Sequence, residues 1–93
     1  MPSATAHVAT AKPSPYMKQL CRHFGHKNEV TFDDERGEIH LSSGVCVLDA
    51  TATDVLVLTA TSADDETLAT LERVIGGHLE RFSGADALSV SWA

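Results

Sequence analysis

Apolar residues fall at positions 16, 17, 20, 21 and 24. At about 100° per residue they share one stripe, so the spacing predicts an amphipathic helix from Tyr16 to about His26. Pro13 and Pro15 set its start, with Ser14 as the expected N-cap. After residue 29 the pattern shortens. Val30-Thr31-Phe32 leads into the turn Asp33-Asp34-Glu35-Arg36-Gly37. Ile39 and Leu41 then alternate with Glu38 and His40, the mark of a half-buried strand. Ser43-Gly44 is a second turn. Val45 to Ala50 and Asp54 to Thr61 read as two further strands. No helix-length connection separates these four strands, which favours antiparallel hairpins over parallel crossovers.

From residue 62 the period lengthens again. Ser62-Ala63-Asp64-Asp65 reads as a capping box with acids in the first turn. Leu68, Leu71, Ile75, Leu79 and Phe82 recur at spacings of three and four, predicting a second helix from Asp64 to about Ser83. Arg81 lies in its last turn and Gly84 suits the position just past its end. Gly76-Gly77 interrupts it, at about 1 kcal/mol per glycine against alanine, so packing must hold it together. Leu88 to Trp92 alternates as a final strand. Residues 1–13 read as a tail in which Thr5 to Thr10 pairs as an edge strand, and residues 14–93 as one domain. The expected order is (β)-α-β-β-β-β-α-β. The class is α+β, an antiparallel sheet of four to six strands with two helices on one face.

Both central strands are apolar on each side. Val55 and Val57 point one way and Leu56 and Leu58 the other, and Val45 to Leu48 repeats the pattern. Two helices cover only one side. A second copy of the chain is the favoured cover for the other, which gives an expected homodimer.

The chain has 93 residues, enough for one core, and a net charge of −6. Its two cysteines, in a chain able to build a core without disulfides, point to a reducing, cytoplasmic setting. No apolar run is long enough to span a bilayer, and the N-terminal residues do not read as a secretory signal. The charge is uneven. Residues 1–28 hold four bases and no acid, a net +4, whereas residues 29–93 hold three bases and all thirteen acids, a net −10. Such a body repels nucleic acid and anionic membranes, so neither is an expected partner. Pairing between the basic helix and acidic loops accounts for the asymmetry most simply. The alternative is an anion-facing patch on the first helix.

The chemistry-bearing run is Lys18-Gln19-Leu20-Cys21-Arg22-His23-Phe24-Gly25-His26-Lys27. Its text suggests Cys-x-His-x-x-His, but Cys21 and His23 stand about 160° apart on a helix and cannot grip one ion. Cys21 joins the apolar stripe as a buried thiol, a poor nucleophile. His23 and His26 are about 60° apart and make the candidate metal pair, needing a third ligand from elsewhere. Lys18, Gln19 and Arg22 are the candidate ligand-binding residues: two cations and a directional amide. His78 borders the second stripe and is expected to be half-buried with a hydrogen-bond partner. Cys46 reads as core, His40 as exposed and Trp92 as packing. Nucleophile-elbow, phosphate-loop and zinc-protease patterns are absent, and turn formation and helix-start charge explain the acid clusters. The expectation is a binding or accessory module without catalysis. The alternative is a purely structural, homodimeric interaction domain.

The run Tyr16 to Lys27, with Leu71-Glu72-Arg73-Val74-Ile75 and His78-Leu79-Glu80-Arg81-Phe82, resembles the bacterial family catalogued as domain of unknown function 2218. The resemblance spans about residues 6 to 92. Some of its members are joined to siderophore-interacting flavin reductases, which implies a link to iron or siderophore metabolism and such a reductase as a partner. No catalytic residue or cofactor comes with it, and a transition metal at the histidines stays the candidate cofactor. Gly76-Gly77 departs from the family's run, which implies a looser second helix.

Overall fold

The computed structural model describes residues 2–93. Strands β1 (Ser3–Ala9), β2 (Glu29–Phe32), β3 (Arg36–Leu41), β4 (Gly44–Asp49) and β5 (Val55–Thr61) combine with helices α1 (Pro13–Phe24) and α2 (Asp65–Ser83). The five strands form one antiparallel sheet in the order β1-β5-β4-β3-β2. Hairpins join β2 through β5, so those four strands are laid down side by side. β1 pairs with β5 over all seven of its residues. The protein is therefore α+β with both helices on one face, as the pattern predicts.

Period-two alternation builds the core. Ala4, Ala6 and Val8 of β1, Leu56, Leu58 and Ala60 of β5, Cys46 and Leu48 of β4, and Ile39 of β3 point to one side and are buried. Met17, Leu20, Cys21 and Phe24 of α1 and Leu68, Leu71, Ile75 and Leu79 of α2 cover them. Gly37 makes the close seat of α1 on β3. A Cβ there would stand 2.8 Å from the Cys21 sulfur, closer than real side chains pack, and 3.2 Å from the Phe32 Cβ, tighter than ordinary contact.

Some boundaries move, each for a local reason. α1 begins at Pro13 with Lys12 at its N-cap and no side-chain cap. Ser14, expected to cap it, lies within the first turn, and its hydroxyl donates instead to the Asp34 carbonyl (2.6 Å). Proline in the first turn has no N–H to lose, so the start survives without a cap. α1 stops at Phe24, two residues before His26, where a turn over residues 25–27 begins; the Phe24 carbonyl is satisfied by the backbone N–H and the side-chain amide of Asn28 (3.0 Å each). The reciprocal box of α2 lies two residues later than the expected Ser62 to Asp65: Asp64 accepts from the Thr67 N–H (2.8 Å), the Asp64 N–H donates to the Thr67 hydroxyl, and the Ser62 hydroxyl donates instead to the Ser43 carbonyl. It runs unbroken through Gly76-Gly77.

The expected last strand, Leu88 to Trp92, reduces to a single bridge between Ala6 and Trp92. Upstream of it the chain turns toward α2. The Leu88 N–H donates to the Ser83 hydroxyl (3.0 Å) and the Val90 N–H to the Glu80 carboxylate (2.9 Å), so neither is free for a ladder along β1.

The other sheet face carries Val45, Val47, Val55, Val57, Thr59 and Thr61 at its centre, flanked by Arg36, Glu38, His40 and Asp49. Among the described residues no element covers it, and Val47 is 42% exposed.

Candidate functional site

The four N-terminal cations have different fates. Lys18 pairs with Asp34 in the β2–β3 turn (Nζ to Oδ1, 2.5 Å), and Lys12 reaches Asp86 beyond α2 (3.8 Å). These are the basic-helix-to-acidic-loop pairs that the charge asymmetry suggests. Arg22 and Lys27 are exposed and have no ion-pair partner among the described residues.

The five candidate residues, Lys18, Gln19, Arg22, His23 and His26, therefore do not lie together on one flank. Helical geometry places Lys18 about 140° from His23, so the first faces β2–β3 while the second faces α2. Gln19 and Arg22 stand between them on the solvent crest. His26 lies in the turn after α1, not on the helix. A surface cavity of ≈ 410 Å³ opens there, lined by His23, Phe24, His26, Lys27 and Asn28. His23 and His26 thus share a cavity. Among the described residues no group of three metal-ligating side chains forms, so the pair gains no third protein ligand.

His23 has closer neighbours on α2. Its ring centre lies 4.9 Å from that of His78, at an interplanar angle of 41°. It meets Phe82 edge-on at 5.3 Å and Phe24 at 5.1 Å. Phe24 in turn lies 5.0 Å from His78. The four rings weld the C-terminal half of α1 to the C-terminal half of α2, and aromatic pairs of this geometry stabilise beyond their buried area. His78 Nδ1 donates to the Val74 carbonyl one turn back (2.6 Å). A carbonyl only accepts, so Nδ1 carries a proton, and in the neutral tautomer Nε2 is the nitrogen with the lone pair.

On the same helix pair, the Tyr16 hydroxyl donates to the Asp86 carboxylate, which holds the phenol proton above its ordinary range. The thiols play no part in the rim. Burial pushes Cys21 up to about 11 and Cys46 up to about 12, and both are free and buried. Such thiols stay protonated at neutral pH and are poor nucleophiles. His40 accounts for itself through Glu38 (2.9 Å).

Sequence periodicity places Phe82 in the α2 stripe and His78, half-buried with a hydrogen-bond partner, beside it, but assigns neither to a site. They sit one turn apart at the edge of the α2 stripe, a signal open to a solvated flank or a helix contact alike. The side that α1 takes decides between them.

A two-helix, five-stranded antiparallel layer with an imidazole-rich rim defines a small α+β domain, in which no helix of the described residues is long and apolar enough to cross a membrane. The chain belongs to the family described as uncharacterized protein conserved in bacteria (DUF2218), which matches residues 5–93. Its structure is similar to the NMR structure of PA4090 from Pseudomonas aeruginosa, at 34% sequence identity and a TM-score of 0.82, over 100% of this chain and 96% of that one. No curated protein matches the chain.

Proposed function

We propose that the domain is a cytoplasmic binding module without catalytic activity, taking an anionic small ligand at the rim where α1 ends, in the service of iron or siderophore metabolism. The observation that carries this reading is the division of the cations. In a chain of net charge −6, Lys12 and Lys18 pair with internal acids, whereas Arg22 on the solvent crest of α1 and Lys27 in the cavity with His23 and His26 stand without acid partners among the described residues. Two cations without acid partners toward the end of α1, in an otherwise acidic protein, favour small anions over extended polyanions. The aromatic wall adds a preference for flat rings, since π-faces attract cations and stack on one another. A ferric catecholate chelate, anionic and aromatic, has that chemistry, and the family resemblance supplies the iron link. A siderophore-interacting reductase is the corresponding partner.

Titration of the full chain with a gallium(III) catecholate chelate, the diamagnetic counterpart of the ferric one, followed by amide chemical shifts, tests the reading. Saturable shifts should centre on Arg22, His23, His26 and Lys27. Arg22→Glu and Lys27→Glu should weaken binding, whereas Lys18→Ala should leave it nearly unchanged. No saturable shift, or shifts centred elsewhere, would overturn it.

A second reading has its own observation, the open valine-rich sheet face. Homodimerisation through that face would bury Val45, Val47, Val55 and Val57. Sedimentation equilibrium tests it: Val47→Lys should turn a dimer into a monomer, and a wild-type monomer at high concentration would exclude it.

A further inference from the structure

The geometry points to a divalent transition-metal site made by His23 of α1 and His78 of α2, with His26 outside the ligand set. It deepens the reading of this rim as a ligand site. His23 and His78 come from different helices, and the fold brings their ring centres to 4.9 Å. With metal–nitrogen bonds of about 2 Å and a tetrahedral angle, two imidazoles on one ion hold their centres about 5 Å apart. Both rings are therefore within reach of one ion once the Nε2 of each faces it.

The second observation is the state of His78. Its Nδ1 donates to the Val74 carbonyl, which fixes the tautomer that leaves Nε2 as the ligating nitrogen. Histidines that bind metals commonly have their other nitrogen held in this way. The ring is half-buried between Phe24 and Phe82, so its orientation is set before an ion arrives. His23 is exposed and supplies the entry side.

Imidazole nitrogens suit zinc, copper, nickel and cobalt more than calcium or magnesium. Two protein ligands leave at least two positions for water or an anionic ligand. Lys27 lines the adjoining cavity with His26, placed to attract such an anion.

Isothermal titration of the full chain with zinc sulfate tests the site, using the metal alone. One ion per chain is expected. His23→Ala and His78→Gln should each weaken binding at least tenfold, and the double variant no further than the worse single one, because one imidazole cannot chelate alone. His26→Ala should change affinity less than threefold. Copper(II) bound to the wild type should show superhyperfine coupling to two imidazole nitrogens, lost in His23→Ala. Circular dichroism confirms that each variant is folded, and the exposed His23 makes its variant the safer of the two. Absence of saturable binding, or a loss with His26→Ala equal to that with His78→Gln, would overturn the inference. Metal binding without chelate binding would overturn the anion reading and leave the metal site standing.

Discussion

Replacing Gly77 with alanine should stabilise the domain, whereas the same change at Gly76 should not. Both glycines lie inside α2, where each gives up about 1 kcal/mol of helix propensity against alanine. Their surroundings differ. A Cβ on Gly77 would meet nothing within 4 Å, so the propensity gain should appear in full. For a domain of this size about 1 kcal/mol raises Tm by about 4–8 °C. A Cβ on Gly76 would stand 3.2 Å from the Trp92 indole nitrogen and 3.3 Å from Val90 Cγ1, tighter than ordinary contact. Those atoms cannot withdraw freely. The Val90 N–H is tied to Glu80 (2.9 Å), and Thr5 and Ala93 exchange backbone hydrogen bonds of 3.2 and 2.9 Å beside Trp92. Overpacking of this kind costs about 1–3 kcal/mol, so Gly76→Ala should lie between no change and a loss of about 2 kcal/mol. Thermal unfolding followed by far-ultraviolet circular dichroism reads both, and Trp92 fluorescence should shift only for Gly76→Ala. If Gly76→Ala stabilised as much as Gly77→Ala, or Gly77→Ala failed to raise Tm, the account of the α2 seat would be wrong.

Leu58→Ala should cost about 2–5 kcal/mol in urea unfolding, because Leu58 is fully buried on β5 beneath both helices; a loss under 1 kcal/mol would contradict the core. Acid should destabilise the fold below pH about 4. Asp64 is held below the usual carboxylate range by the Thr67 amide and hydroxyl, Asp33 by the Glu35 and Arg36 amides, and Asp49 by the Thr51 hydroxyl and amide. A carboxyl depressed on folding contributes stability above its unfolded value and loses it as pH falls through the folded one. The Tm gap between wild type and Asp64→Ala should therefore be constant at neutral pH and close in acid; a gap that widens in acid would reverse the sign. Alkylation of Cys21 and Cys46 should be slow at pH 7 and faster as pH approaches 11, where the Cys21 thiol ionises. Labelling of native protein at the rate of a free thiol, followed by mass spectrometry, would contradict their burial.

The fold was largely legible because its cues are local. Alternation marks β3, short apolar runs between turns mark β2, β4 and β5, stripes of three and four mark both helices, and the short connections between strands leave hairpins as the economical pairing. What failed was decided by competing hydrogen bonds between distant segments. Ser14 donates to Asp34 twenty residues away, and Glu80 draws the Val90 N–H away from a ladder with β1. The α1 stop at Phe24 is more local: the chain turns over residues 25–27 and the Asn28 side-chain amide covers the last carbonyl, neither of which apolar spacing registers.

The rim shows the same division. The sequence determined which residue types line α1: two histidines, an amide, and cations in excess over acids. It also determined that Cys21 lies inward, since stripe position sets the face of a helix. Only the tertiary structure decided that Lys18 is consumed by Asp34, that His26 leaves the helix axis, and that His23 meets His78. A stripe shows which side of a helix is buried but not which element comes to lie against its flank. That depends on how both helices settle on one sheet, through contacts such as Gly37 under Cys21 and the four-ring cluster joining α1 to α2.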